Sequence, residues 1–402
     1  MSTQLPASIS EETVDEISAE RNEPDWLRRT RLDALAALEE SEMPSVIETP
    51  GRRWTNLEDL DYESIVDPLD QRDETERISA EGAAVLDFET ALEEHPELVE
   101  EHFGSVTDPQ TNYLTALSTA LFTTGTVIYV PEGVDAEDVK VRAEMNSTSL
   151  FSHTLVVAED NASATILERI SNGSEVDGDR YFSNLVEIVT GENAYVQYGS
   201  LQNLDEDVYD FTLKRGDANR YATIDWIEGN IGSRLTRSDI ETELNGDSSE
   251  TKIVGAFFGH DDQHFDINAR VWHNAEHTTA DLVTRGVLDD EARSVYEGVQ
   301  DVGRDAWDTS SYQRENTLML SDDSEADASP KLIIHNHDTE ASHSATVGQV
   351  DAEDMFYMTS RAISENTARN MLVEGFFVPV LEEVEVDELR EDIDDLIVAR
   401  LD

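Results

Sequence analysis

The chain offers ten histidines and no cysteine, so any metal or nucleophile chemistry of its own rests on imidazole, hydroxyl and carboxyl groups. Without thiols it can form no disulfide, no zinc–thiolate centre and no iron–sulfur cluster held by its own sulfur. Three histidine patches stand out. In WHNAEH, His273 and His277 are four apart. On a helix that spacing gathers two imidazoles on one face for a metal. The flanks FDINARVW and TTADLVTRGV read as strands, however, and on a strand residues four apart lie roughly 13 Å from each other, too far to share an ion. LIIHNHD carries His335 and His337. Read as a strand, this run puts both rings on one face about 6.5 Å apart, which permits a shared metal. Two neutral ligands alone make a weak site, and exposed or hydrogen-bonded edge histidines are the simpler reading. The third patch, TEASHSATVGQVD (339–351), isolates His343 among small residues.

Other catalytic patterns are absent. Nothing near His343 forms a recognisable Ser-His-Asp arrangement. There is no Walker A loop, so the chain is not itself a P-loop ATPase. Paired carboxylates carry no information here, because Asp and Glu together number 89 and an acid pair can be found anywhere.

The elements that must position these residues follow from hydropathy and turn punctuation. Residues 1–24 are polar, acidic and expected to be loose. The stretch 25–122 reads as mainly helical, with Leu27, Leu35 and Leu38 on one face of DWLRRTRLDALAALEE and further helical patterning at 85–103 and 110–122. At Gly125 the texture changes to short alternating runs rich in β-branched and aromatic residues. Their turns look alike. Anchored on Asn161, Asn193, Asn219, Asp247 and Glu276, they recur at steps of 32, 26, 28 and 29 residues. A period near 25–30 residues indicates stacked coils of a β-solenoid, where a sandwich would turn every 8–12 residues or so. The expected class is therefore mainly β. The core is expected over 123–340 and a helical region over 341–402. In that region Asp351 and Ser364 are placed as N-caps, Pro379 as a helix stop and 386–401 as a last helix.

The C-terminal third, ASHSATVGQVDAEDMFYMTSRAISENTARNMLVEGFF (341–377), resembles the SufD branch of the SufB/SufD family, scaffold subunits of the SUF iron–sulfur cluster assembly machinery. The resemblance rests on Ser342-His343, Ala345-Thr346-Val347-Gly348, Phe356-Tyr357 and Ser360-Arg361-Ala362-Ile363-Ser364. HTTADLVTRGVLDDEARSVYEGV (277–299), ENTLMLSDDSEADASPKLII (315–334), ALFTTGTVIYVPEGV (120–134) and DWLRRTRLDAL (25–35) are similar to other family segments. Two positions depart from the family pattern: Ser344 stands where glycine is frequent, and Ala341 where some relatives have cysteine.

The resemblance implies a right-handed parallel β-helix between helical regions. It implies a complex with a SufB-like paralogue through the β-helix, and with a SufC-like ABC ATPase through the C-terminal helices, where Phe356, Tyr357 and Arg361 are the candidate contacts. A second copy of the chain is a further pairing to consider. His343 is the residue carried over as functional, supported by Ser342, Thr346 and Gly348, and a transient cluster would form near the paralogue with thiolates supplied from outside this chain. His343 would then either ligate iron or accept protons, and the sequence does not choose. No flavin motif is present. Two other readings of a solenoid, an intracellular carbohydrate-active enzyme and a structural solenoid, predict respectively a sugar-binding groove and no SUF partners.

Charge adds a constraint of its own. Lys and Arg number 28, giving a net charge of −61, and lysine appears only at 140, 214, 252 and 331. No basic stripe is available to neutralise phosphates, which argues against nucleic acid as a partner. No 18-residue apolar run and no apolar signal core appear, so neither a membrane span nor export is expected, and the expected location is the cytoplasm. The acidic surface itself resembles a halophile's. At about 1 M salt the screening length is only about 3 Å, so carboxylate repulsion fades while solubility remains. The melting temperature should fall on transfer from molar to millimolar salt. A melting curve unchanged by that transfer would refute the halophilic reading.

Overall fold

The computed structural model describes residues 6, 8–41, 43–49, 53–58, 60–174, 176–384 and 386–401. The N-terminal region carries helices α1 (Glu11–Glu20), α2 (Asp25–Glu40), α3 (Tyr62–Ile65), α4 (Phe88–Glu94), α5 (Pro96–His102) and α6 (Tyr113–Leu121), interleaved with short strands β1 (Val46–Glu48), β2 (Arg53–Asn56), β3 (Asp73–Ile78) and β4 (Ala84–Asp87). The middle of the chain is a run of strands: β5 (Thr124–Val130), β6 (Asp135–Met145), β7 (Ser149–Ala158), β8 (Ser163–Asn172), β9 (Arg180–Thr190), β10 (Tyr195–Asn203), β11 (Val208–Ala218), β12 (Thr223–Asn230), β13 (Leu235–Leu244), β14 (Glu250–Gly259), β15 (His264–His273), β16 (Thr279–Leu288), β17 (Arg293–Val302), β18 (Thr309–Met319), β19 (Glu325–Ile334) and β20 (Thr339–Gln349). Helices α7 (Ala352–Thr359), α8 (Glu365–Leu381) and α9 (Asp387–Leu401) follow.

From β5 on, even-numbered strands pair in parallel with even and odd with odd, eight to a sheet, and antiparallel β3 and β4 complete two nine-stranded sheets that face each other across a filled interior. This is a parallel β-helix of about eight coils, as the turn period predicts. The turns show why it stacks. Asn161, Asn193, Tyr221, Ser248, His277 and Asp308 all have positive φ. The first five each donate their N–H to a turn carbonyl of the next coil: Glu192, Arg220, Asp247, Glu276 and Trp307 respectively. Asn tolerates that left-handed geometry well; Tyr and Ser do so at a cost that the coil-to-coil bond offsets. Of the sequence anchors, Asn161 and Asn193 are the left-handed residues themselves. Asn219, Asp247 and Glu276 sit one or two positions before theirs.

Three expectations need correction. Residues 11–20 are not loose: α1 forms behind a Ser10 cap and buries Val14 and Ile17, an i, i+3 pair that the acidic composition masks. Residues 1–5 and 7 lie outside the described residues. The N-terminal region is mainly helical, and its short strands β3 and β4 pair antiparallel with β6 and β5. The solenoid does not end at 340. Strand β20 runs to Gln349, in register with β18 from Thr309↔Thr339 to Met319↔Gln349. Its inward side holds small residues rather than large apolar ones, so apolar patterning cannot reveal it. Finally, α8 passes through Pro379 for two residues, leaving the Gly375 carbonyl without its helical N–H. The Asp351 and Ser364 caps form as expected.

The two helical regions cover opposite outer faces. In the N-terminal region, α2, α6 and neighbouring segments bury Leu35, Leu117, Leu121 and Phe122 against Phe151, Leu155, Tyr181 and Phe211 of the odd-numbered sheet. Helices α8 and α9 bury Val373, Phe377, Leu389 and Ile393 against Leu167, Ile227, Val254 and Phe258 of the even-numbered sheet. Gly199 allows the closest approach of α9, since a Cβ there would lie 2.3 Å from Leu389 Cδ2. Lys140, Arg142 and Arg169 of the sheet converge on Glu388 of α9. A buried clamp ties the N-terminal region down. Glu187 Oε1 is 2.8 Å from His153 Nε2 and 2.9 Å from the Gly104 amide, while Oε2 takes the amides of Val106 and Thr107. Burial alone would raise the Glu187 carboxyl, but His153 and these amides hold it below its ordinary value. We expect Glu187→Ala to cost about 3–5 kcal/mol by leaving buried His153 and three backbone amides, one of them buried, without their acceptor. Denaturant unfolding in high salt reads this directly, and an unchanged midpoint would show that the clamp does not hold the region.

Candidate functional site

The parallel register sorts side chains into stacked columns. One inward column reads Val139, Ile166, Tyr198, Trp226, Ile253, Leu282, Gln313 and His343. Its members up to Gln313 are buried. His343, on the last coil, is exposed, because β20 has β18 on one side and, among the described residues, no strand on the other. His343 is therefore an interior position without a lid. The same holds for Ala341, Ala345 and Val347 on β20. On β19, Ala328, Pro330, Leu332 and Ile334 stand in register with Tyr296, Gly298, Gln300 and Val302 of β17. Ile334 is 40% and Val347 39% exposed. The open end is thus an apolar face bearing one imidazole, flanked by two unpaired strand edges.

The supporting residues take the opposite side of β20. Ser342, Thr346 and Gly348 alternate with the inward set, and a Cβ at Gly348 would meet nothing within 4 Å. No hydrogen bond from a described residue reaches the side chains of Ser342, His343 or Thr346. The His335–His337 pair does not form a two-ligand face. Both residues lie in the turn after β19, not on a strand, and His335 Nε2 lies 3.8 Å from Asp301 Oδ1. The residue between them, Asn336, is the structural one. Its Nδ2 donates to the carbonyls of Gly303 and Ala306, and its Oδ1 accepts from the Asp338 amide and the Thr339 hydroxyl. His273 and His277 also stay apart. The first is buried against Thr278 and Gln300; the second is in a turn beside Asp308. His260, between Glu206 and Asp261, is already matched by carboxylates, with Arg400 also 3.6 Å from Glu206.

Helix α7 buries no residue. Phe356 is 73% exposed and Tyr357 58%, and the Arg361 guanidinium lies 3.4 Å above the Tyr357 ring, donating also to the Tyr357 carbonyl. This is a second uncovered aromatic surface, close in sequence to the open end.

Three residues beneath the last coil escaped the sequence reading. Glu315 and Gln313 of β18 and Tyr296 of β17 are at most 2% exposed. Glu315 Oε2, Gln313 Oε1 and Tyr296 Oη all lack a hydrogen-bond partner. A Cβ at Gly298 would lie 2.4 Å from Gln313 Oε1 and 2.7 Å from Tyr296 Oη, so both atoms converge on that glycine. Burial pushes the Glu315 carboxyl up to about 7, opposed only by the Thr317 hydroxyl. The run SSYQRENTLM alternates polar with polar, so no apolar side marks which face is inside.

These features define a parallel β-helix sealed at its first coil by β3 and β4, open at its last, and furnished with uncovered aromatic residues beside that opening. Residues 141–376 match the family described as "SUF system FeS cluster assembly, SufBD core domain", and residues 55–140 match the "SufBD protein N-terminal region". The chain belongs to the SufBD family of SUF-system iron–sulfur cluster assembly proteins. It is similar to the iron–sulfur cluster assembly protein SufD of Bacillus subtilis (strain 168), 31% identical over 98% of each chain. It is also similar to the SufB of that organism, 27% identical over 94% of this chain and 90% of the relative. An iron–sulfur cluster assembly SufBD family protein of Staphylococcus epidermidis matches at 27% with the same coverage. Among the described residues no helix is long and apolar enough to cross a membrane.

Glu315 gives this end of the molecule a pH signature. Its folded value, about 7, lies above the ordinary 4.5, so the folded state holds a proton that the unfolded chain has already lost. This contribution is fully present below about pH 4.5 and is lost as pH rises through 7, amounting to about 3 kcal/mol. We expect Glu315→Gln to remove that slope and to melt higher than the parent at pH 8. Equal melting temperatures at pH 8 would contradict it.

Proposed function

We propose that the chain is the SufD-type, non-catalytic subunit of a scaffold complex that assembles iron–sulfur clusters. A SufB-like paralogue docks on the open end of the β-helix, and a SufC-like ABC ATPase docks on the C-terminal helices around Phe356, Tyr357 and Arg361. The observation that carries this reading is His343 on the inward side of an uncovered last coil, in a chain with no cysteine. A coil that exposes apolar interior positions and an unpaired strand edge favours continuation by another chain, and the small side chains Ser342, Ala345 and Gly348 let a strand approach closely.

The cluster is cargo on this reading, with thiolates and sulfide brought by others. An imidazole suits iron beside thiolates, as mixed His/Cys centres show, and it equally suits proton acceptance near neutral pH. His343 holds one of these two roles at the interface. ATP hydrolysis belongs to the ATPase partner. When the paralogue is missing, a second copy can cover the same end. The complex works in the cytoplasm, where thiols stay reduced.

Pull-down in molar salt with partner identification tests the assembly, and variants separate its parts. Val347→Asp should weaken paralogue binding by roughly a hundredfold, about 2.8 kcal/mol, while retaining the ATPase. Phe356→Ala combined with Tyr357→Ala should do the reverse. His343→Ala should keep the fold and both partners but lower cluster formation, followed by visible absorbance, by roughly tenfold or more. Full cluster assembly by His343→Ala would remove its role, and retention of both partners by the other two variants would remove the docking assignments.

A further inference from the structure

We propose that Glu315, held with Gln313 and Tyr296 one coil beneath His343, is a further functional residue: it takes up the protons that thiol and hydrosulfide groups lose as they bind iron at the open end. The inference rests on the scaffold reading above. Iron binds deprotonated sulfur, so each binding event breaks an S–H bond, forms an S–Fe bond and releases one proton, with no change in oxidation state. A partner seated on the last coil excludes water from the place where those protons appear. A base inside the subunit then serves where solvent cannot.

The placement fits this task. Gln313 is the register partner of His343, and Glu315 is the partner of Ala345, so the carboxyl lies about one strand spacing, roughly 4.8 Å, below the inward face of β20. Its cover is thin: Ala345 stands above Glu315, Ala328 above Tyr296 and Pro330 above Gly298. In register, Glu315 has Thr284 of β16 on one side and Ala345 of β20 on the other, the Thr317 hydroxyl donates to it, and Tyr296 of β17 lies near enough to interact with it. None is a lysine or arginine. Among the described residues, other buried carboxyls have partners: Glu187 has His153, Glu228 has Lys214, Glu168 has Asn184 and Ser200, and Asp210 has Gln202 and Thr212. Glu315 has the Thr317 hydroxyl on one oxygen and nothing on the other. A buried carboxylate oxygen with no hydrogen-bond partner calls for a specific explanation. The three unpartnered oxygens of Glu315, Gln313 and Tyr296 are the kind of atoms that ordered water serves, and such water would link the carboxyl to His343.

The test uses the complex purified with its partners in high salt. Ferrous iron and sodium sulfide are supplied, and the initial rate of cluster formation is followed by visible absorbance from pH 6 to 9. Glu315→Gln, isosteric and unable to accept the proton, should keep the fold and the partners, lose roughly tenfold or more in rate near pH 7 and recover toward pH 9. Added imidazole buffer should restore part of the loss at pH 7. A Glu315→Gln profile parallel to the parent's, whether equal or uniformly lower, overturns the inference and leaves the scaffold reading intact. A second readout needs no assembly. The isolated chain should show the infrared carbonyl band of a protonated buried carboxyl at pH 6, fading by pH 9 and missing from Glu315→Gln; absence of that band at pH 6 also overturns the inference. Failure of the parent complex to build any cluster would sink the scaffold reading and this inference with it.

Discussion

A parallel β-helix satisfies each strand by the strand of the next coil, so its architecture leaves a debt only at its two ends. Within the stack, backbone pairing, the left-handed turn residues and the inward columns all close on a neighbour. The first coil is closed by antiparallel additions, β3 on β6 and β4 on β5. The last coil has no such addition. Repeat proteins normally protect their terminal repeats with polar caps, and among the described residues this end has none.

The rest of the molecule leaves that end free. The N-terminal region occupies the outer face of the odd-numbered sheet and α8 with α9 the outer face of the even-numbered one. Neither crosses the opening. Helix α7 leaves the end of β20 and stays uncovered, so two exposed surfaces lie close together in sequence. Scarce cations are spent on fastening these layers: Arg31 with Glu23 in the N-terminal region, and Lys140, Arg142 and Arg169 on α9.

Much of this was legible from residue order. Turn punctuation revealed the solenoid because left-handed turns favour Asn and Asp wherever they recur. Helices α2, α8 and α9 showed their apolar stripes, and α7 and α8 their N-caps. What patterning missed has a common cause. Val14 and Ile17 of α1 sit among acids, the inward side of β20 is mostly small alanines, and both sides of β18 are polar. In each case the residues that face the interior do not contrast with those that face water, and periodicity needs that contrast. The HNH turn misled for a related reason: alternating polar residues after LII look like a continuing strand until Asn336 is seen holding the carbonyls of Gly303 and Ala306.

The sequence by itself determined the class of fold, the order helices–solenoid–helices, the family resemblance and the singling out of His343. It could do so because these depend on local spacing and on motif residues that lie near one another in the chain. Only the tertiary structure decided that His343 belongs to an inward column, that this column ends uncovered, and that Glu315, Gln313 and Tyr296 converge beneath it. The physical reason is that inside and outside of a coil are set by register across strands about thirty residues apart. Register is a property of the stacked backbone, which the order of side chains along a single strand does not reveal.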